Sequence, residues 1–450
     1  MSQLNAICEE RGELLARDEQ TAAPRSSRSL SAHSARGLLY SAVGQFVVAG
    51  TALASIRVYT ELLTKSEFGF TMLVVGAVAL LDGVVVAALS LTLLSICAGI
   101  DEPNRQRQVA IGLGLRLFAA LALVSAPLAL LAIALAVPLR LDTLVVVAPG
   151  LAIIYLSEEI AKTSMLGPLI ARRDYFRSSL WAGSEAVTTL TVTALSLIVF
   201  RADALGFLAG LLSSRLLCTS GFLFVFFRGR YFSCVDFALA APYVEKALGY
   251  GVPLSAMSPI GWVGAYLDRY AIGACAGLAG AGVYSAVAGL VGRPYNVAGA
   301  VLTNYFRPLL FQRPRRAARQ WLFAAVGVGA LGIAAFALLG GAVAWLALAP
   351  EYRRGAPAIM VALAIAQAFV IMTHSVDNAV LAAGASGALL RRQIWLVGTA
   401  LLLVPACALL YGALGAAIGR ALAEAVKFAG TLMLSRQMCG VARASEVAVP

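Results

Sequence analysis

The residues best placed to do chemistry are charges in positions where a charge is costly. Arg293 stands near the middle of an apolar stretch, has no acid three or four residues to either side, and is followed by Pro294. Asp82 lies in another such stretch beside Gly83, with no basic residue within a helical turn. Arg57, Asp268 and Arg269 complete the set. A charged side chain at the centre of a bilayer costs about 2.5–3.5 kcal/mol on insertion scales, so each needs a partner, a water-filled cavity or a route to the interface. Asp268 and Arg269 are adjacent and point about 100° apart on a helix, so they cannot pair and face the same way. Two readings stay open: these residues line a polar cavity, or they pair across helices and hold a bundle together. His374, Asp377 and Asn378 fall at i, i+3 and i+4, on one helix face. A His–Asp pair in a membrane can carry protons, because His titrates near physiological pH; an interhelical hydrogen-bonded contact is the alternative. Other charges have local partners. Glu158 and Glu159 precede Lys162 by four and three residues, and Arg420, Glu424 and Lys427 repeat the pattern. Arg116 and Arg307 lie near the ends of their stretches and can snorkel.

The elements that must position these groups are membrane spans. The chain has 450 residues, of which 60% are A, V, I, L, M, F, W, Y or C and only 13% are charged. Mean hydropathy is +0.84. A soluble enzyme, a disordered chain and a disulfide-stapled secreted domain are excluded on composition. A spanning helix needs about 20 apolar residues. Twelve apolar segments answer to that, near 37–60, 70–98, 109–136, 143–170, 180–200, 206–227, 247–273, 281–307, 321–348, 357–383, 393–412 and 414–434. The expected fold is an all-α polytopic membrane protein of about twelve transmembrane helices in two six-helix lobes. With both termini cytoplasmic, 21 of the 35 Lys and Arg fall in inner segments and 5 in outer loops, the bias that sets topology. That bias accounts for the net charge of +12, so no nucleic-acid partner is implied.

The chain divides into a disordered cytoplasmic tail at 1–36, a lobe at 37–227, a cytoplasmic linker at 228–246, a second lobe at 247–435 and a tail at 436–450. Residues 1–36 hold no apolar stretch, so a cleavable signal peptide is not expected there. Seven cysteines show no paired spacing and two histidines are too few for a His-based metal site. No Walker loop, HExxH or nucleophile elbow occurs, so no catalytic residue, metal or cofactor is expected and the chain reads as a non-enzyme. Short loops also argue against a membrane-embedded glycan polymerase or ligase. Pro253 and Pro259 should kink span seven. The pairs Gly206/Gly210 and Gly415/Gly419 read as helix-packing contacts.

The halves echo each other. Arg57-Val58-Tyr59 closes span one before Gly69-Phe70, and Asp268-Arg269-Tyr270 closes span seven before Gly282-Val283-Tyr284. Glu67-Phe68-Gly69-Phe70, Leu267-Asp268-Arg269-Tyr270 with Gly282-Val283-Tyr284-Ser285, Arg307-Pro308, Pro350-Glu351-Tyr352 and Asn378-Ala379-Val380-Leu381 follow in order. This ordered set, over about residues 37–435, resembles the polysaccharide-transport branch of the multidrug/oligosaccharidyl-lipid/polysaccharide exporter superfamily. The resemblance implies a two-lobed alternating-access flippase for a polyprenyl-diphosphate-linked oligosaccharide in the bacterial plasma membrane. Its partners would be the lipid-linked glycan, membrane lipids and the polysaccharide polymerase machinery. It also implies a cavity framed by spans one, two, seven and eight, which maps onto Arg57, Asp82, Asp268, Arg269 and Arg293. Arginine forks suit a diphosphate. The second reading is a cation-coupled small-molecule exporter of the same superfamily. Proton or sodium coupling would use a carboxylate such as Asp82, Asp268 or Asp377, with His374 beside the last.

Overall fold

The computed structural model describes residues 30–97, 99–139, 143–172, 174–227, 237–312, 314–382 and 386–447. Of the expected cytoplasmic segments, 1–29, 228–236 and 448–450 lie outside the described residues.

Apolar runs of this length leave only helices, since backbone polar groups in lipid must be satisfied within the segment. The long helices are α1 (Leu30–Leu62), α2 (Lys65–Cys97), α3 (Pro103–Leu139), α4 (Thr143–Ala171), α5 (Tyr175–Val199) and α6 (Ala204–Phe227). The stretch Val244–Gln312 breaks at Gly277 into α7 (244–276) and α8 (278–312). Then come α9 (Pro314–Ala347) and α10 (Ala356–Ala382). Ser386–Val447 breaks at Tyr411 and Gly412 into α11 (386–410) and α12 (413–447). Seven of the continuous helical stretches among the described residues are long and apolar enough to cross a membrane, two of them being the broken pairs. Counted with those breaks, the described residues form twelve long antiparallel legs. The first begins at Leu30, inside the segment expected to be a tail. The inner linker contributes a short helix, Phe237–Ala240, that packs on α3.

The outer turns are set by local chemistry. Thr64 caps α2 by accepting from the Glu67 N–H at 3.3 Å. Gly277 adopts φ 73°, a left-handed value that a side chain would strain, and so reverses the chain between α7 and α8 without a loop. Gly412 does the same at φ 58° between α11 and α12. At Pro253 and Pro259 the backbone angles of α7 remain helical, so the helix runs continuously through both prolines. A π-helical turn occupies Gly83–Ala87 in α2, directly after Asp82. Such turns leave carbonyls short of a partner, and α7 supplies one: Ser258 Oγ donates to the Gly83 carbonyl at 2.7 Å and Ser255 Oγ to that of Val84 at 2.6 Å. Gly210 lets α6 pack close against Thr193 and Ser196 of α5.

Candidate functional site: a cleft between the lobes

Spans α1 and α2 of the first lobe face α7 and α8 of the second. The α2/α7 edge is closed along its length. Tyr270 donates to the Leu73 carbonyl at 2.6 Å and Trp262 Nε1 to that of Gly76 at 2.6 Å, above the two serine bonds just described. At the outer end, Gly69 and Gly282 permit the α2 and α8 backbones to touch: a Cβ on either would collide with a carbonyl oxygen, of Leu278 or Lys65. Phe68, 2% exposed, meets Tyr352 edge-on at 6.1 Å. The Tyr352 hydroxyl donates to the Leu63 carbonyl at 3.1 Å, and the Ala349 N–H donates to Thr60 Oγ1 at 3.2 Å. Glu67 accepts from the Ala204 N–H at 2.8 Å, which anchors the start of α6. The Glu67-Phe68-Gly69 motif is thus part of an outer seal.

The α1/α8 edge differs. One face of α8 carries Gly282, Gly289, Arg293, Asn296, Ala300 and Arg307, spaced to share a stripe on a helix with 3.6 residues per turn. Gly289 packs on Ile56 of α1. One turn inward the contact ends, and Arg293, Asn296, Ala300 and Arg307 are all exposed. Gln45, on the α1 face that carries Ile56 three turns further out, is exposed as well. The other side of α1 is occupied, with Gly44 against Ser179 and Val47 against Gly183 of α5. The lobes therefore meet outside and part inside along this edge. Arg293 and Arg307 lie about 21 Å apart along the opened face, from a rise of 1.5 Å per residue. Arg293 has no hydrogen-bond or ion-pair partner among the described residues.

The other sequence-derived candidates lie elsewhere. Arg57 sits at the outer end of α1, where it pairs with Glu61 and donates to the Leu348 carbonyl at the end of α9. Arg353 Nε donates to the same carbonyl at 3.0 Å. Two cations there cap the helix terminus, where partial negative charge collects. Glu61, four residues on, was the local signal that could have shown Arg57 to be partnered. Asp82 lies on α2 directly before the π-helical turn. Its surroundings are a buried ion cluster of the first lobe, with Lys162, Arg215 and Glu185 in electrostatic range. Lys162 Nζ lies 2.6 Å from Glu159 and 3.0 Å from Glu185. Arg215 pairs with Glu159, approaches Glu185 at 3.4 Å, and stacks over the Tyr155 ring at 4.9 Å. Glu158 accepts from Thr219 rather than from Lys162. One oxygen of Glu158 and one of Asp82 are buried without a hydrogen bond.

Asp268 is 2% exposed inside the second lobe. It accepts from Arg420 Nη1 at 2.5 Å and from the Tyr284 hydroxyl at 2.6 Å. Arg420 therefore goes to Asp268 and not to Glu424 one turn along its own helix. Glu424 keeps Lys427 at 3.9 Å and leaves one oxygen without a hydrogen bond. Arg269, next to Asp268, turns aside to the Ala265 carbonyl at 3.3 Å and over the Tyr266 ring at 4.6 Å. His374, Asp377 and Asn378 do share a face of α10, but His374 and Asp377 are not hydrogen-bonded to each other. Asn378 donates to the His374 carbonyl at 2.8 Å, and Asp377 accepts from Gln393 at 3.1 Å, with its other oxygen unbonded. Among the described residues no cluster of three or more His, Cys, Asp or Glu could hold a metal ion.

No family profile and no curated protein sequence matches the chain. Solved structures do. Lipid II flippase MurJ in an inward closed conformation superposes with a TM-score of 0.66 at 9% identity, over 89% of this chain and 87% of that one. An inward-facing multidrug resistance MATE family transporter of the MOP superfamily gives 0.60 at 15% identity, over 89% and 95%. A MOP superfamily transporter from Pyrococcus furiosus, described as having a binding pocket of reverse polarity, gives 0.55 at 14% identity, over 89% and 95%. The chain is a multi-pass membrane protein with the fold of the MOP-superfamily transporters.

Proposed function

We propose that the chain is an alternating-access flippase that carries a polyprenyl-diphosphate-linked oligosaccharide across the bacterial plasma membrane. The observation that carries this reading is Arg293, an unpaired cation on an inward-opening face. A diphosphate presents the charge such a guanidinium binds in a fork. The opened α1/α8 edge leaves a side exit through which a lipid tail stays in the bilayer while the glycan occupies the cleft. Asn296 and Gln45 offer the amides that sugars bind. The outer seal made by Thr60, Phe68, Gly69, Gly282 and Tyr352 must part for release, so cargo binding has to favour the two states differently. Of the MOP-fold structures compared, MurJ is described as a lipid II flippase, which supports a lipid-linked cargo.

A second reading, a cation-coupled exporter of small molecules, is favoured by the first-lobe cluster. Asp82 and Glu158 hold carboxylate oxygens that no donor satisfies, and four acids there face two bases. In either reading, the coupling ion is a proton or sodium. The carboxylates open to it are those two and Asp377, beside His374.

Proteoliposomes separate the readings. The flippase reading expects the reconstituted protein to move a fluorescent polyprenyl-diphosphate oligosaccharide between leaflets and to ignore organic cations. Export of a cationic dye with no movement of the lipid would reject it in favour of the second.

A further inference from the structure

The cytoplasmic ends of α3, α4, α5 and α6 form a recess apart from the opened face of α8. It is lined by Arg107, Arg172, Arg177, Trp181 and Phe222, among others. Basic residues on this side follow from topology, but topology does not require three arginines from separate segments to converge on an aromatic floor. Trp181 stacks on Phe222 at 4.0 Å and is 1% exposed. Its indole N–H has no acceptor, although a buried Trp ordinarily finds one. Arg172 is held in place by neutral acceptors: its Nε donates to Gln106 Oε1 at 2.7 Å and its Nη2 to the Pro103 carbonyl. Neither acceptor cancels its charge. Arg177 has Asp174 at 3.5 Å. Burial first, and then the like charges of Arg107 and Arg177, hold the Arg172 guanidinium below its ordinary value. Three guanidinium groups, with Asp174 beside Arg172 and Arg177, and a buried donor without an acceptor meet here.

We propose that this recess binds a phosphoryl group at the cytoplasmic face, held by the guanidinium groups of Arg107 and Arg177 and by the Trp181 indole N–H, with Arg172 as a fixed positive neighbour. Arg–phosphate forks supply strong, oriented donors, and a phosphate oxygen is the acceptor that the indole lacks. Two sources carry that chemistry: an anionic phospholipid headgroup of the inner leaflet, or a soluble phosphate. The site does not depend on what the cleft transports.

The test uses the full chain in phosphatidylcholine nanodiscs. Melting temperature is recorded as such, with phosphatidylglycerol doped in, and with added inorganic phosphate. Native mass spectrometry counts the phosphatidylglycerol retained. The expected result is stabilisation by at least one ligand, with phosphatidylglycerol alone marking a headgroup site and inorganic phosphate marking a soluble ligand. Arg107→Gln and Trp181→Phe should each weaken that response roughly tenfold, as loss of a charge-assisted or buried bond implies. Arg107→Lys should keep part of it and report that the fold is intact. Arg391→Gln, at the cytoplasmic end of α11, should leave it unchanged. No stabilisation by either ligand, or an equal loss in Arg391→Gln from a general surface field, overturns the proposal.

Discussion

Arg293→Ala is expected to abolish translocation while leaving the protein inserted and folded. Nothing in the described structure leans on this side chain: it is exposed, and it makes no bond to another described residue. Its removal therefore relieves the cost of a charge at bilayer depth, about 2.5–3.5 kcal/mol on insertion scales, and should raise the melting temperature slightly or leave it alone. Cargo binding should fall steeply. A hydrogen-bonded charge pair in a desolvated site is worth about 2–5 kcal/mol when one partner is truncated, which is more than tenfold in affinity. Arg293→Lys should keep the charge but lose the fork, and so transport at an intermediate rate. The measurement is the leaflet-exchange rate of labelled lipid-linked oligosaccharide in proteoliposomes, beside thermal melting of the same preparations. Normal exchange in Arg293→Ala would remove this residue from the cargo path.

The second large effect should be structural. Asp268→Ala leaves Arg420, with 11% of its side chain exposed, as an unpaired cation in the lobe interior. Breaking a buried pair from one side costs about 3–5 kcal/mol. Most of that is the price of stranding the partner, so the penalty should shrink when both charges go. Asp268→Leu with Arg420→Met should recover at least half of the lost thermal stability in detergent, the Tyr284 hydroxyl then lacking its acceptor. The double variant should still translocate cargo, because neither side chain reaches the opened face of α8. A double variant that is stable yet inactive would place the Asp268–Arg420 pair in the transport path.

These two residues also mark what could be read in the chain. Twelve legs were legible because apolar runs of spanning length are a composition signal, and the alternation of basic loops adds direction. Arg293 was legible because helical neighbours at i±3 and i±4 can be checked by eye and none is acidic. The Asp268–Arg420 bond was not, since its partners are 152 residues apart and Arg420 had a nearer decoy in Glu424. Arg57 had a local partner in Glu61, and its second acceptor is a backbone carbonyl, which leaves no trace in residue type. The π-helical turn after Asp82 and the serines of α7 that serve it were equally silent. A register change of one residue alters no pattern of polarity. The reversals at Gly277 and Gly412 use positive φ, which glycine takes and proline cannot, and both fall between expected spans.

Position 296 gives the most direct test of the cleft as the cargo path. A photoreactive residue replacing Asn296, in vesicles loaded with radiolabelled polyprenyl-diphosphate oligosaccharide, should capture the label on irradiation. The same residue on the outward-facing lipid surface of α9, at Leu338, should not. Capture at 338 but not at 296, or capture of phospholipid alone at 296, would contradict a cargo route between α1 and α8.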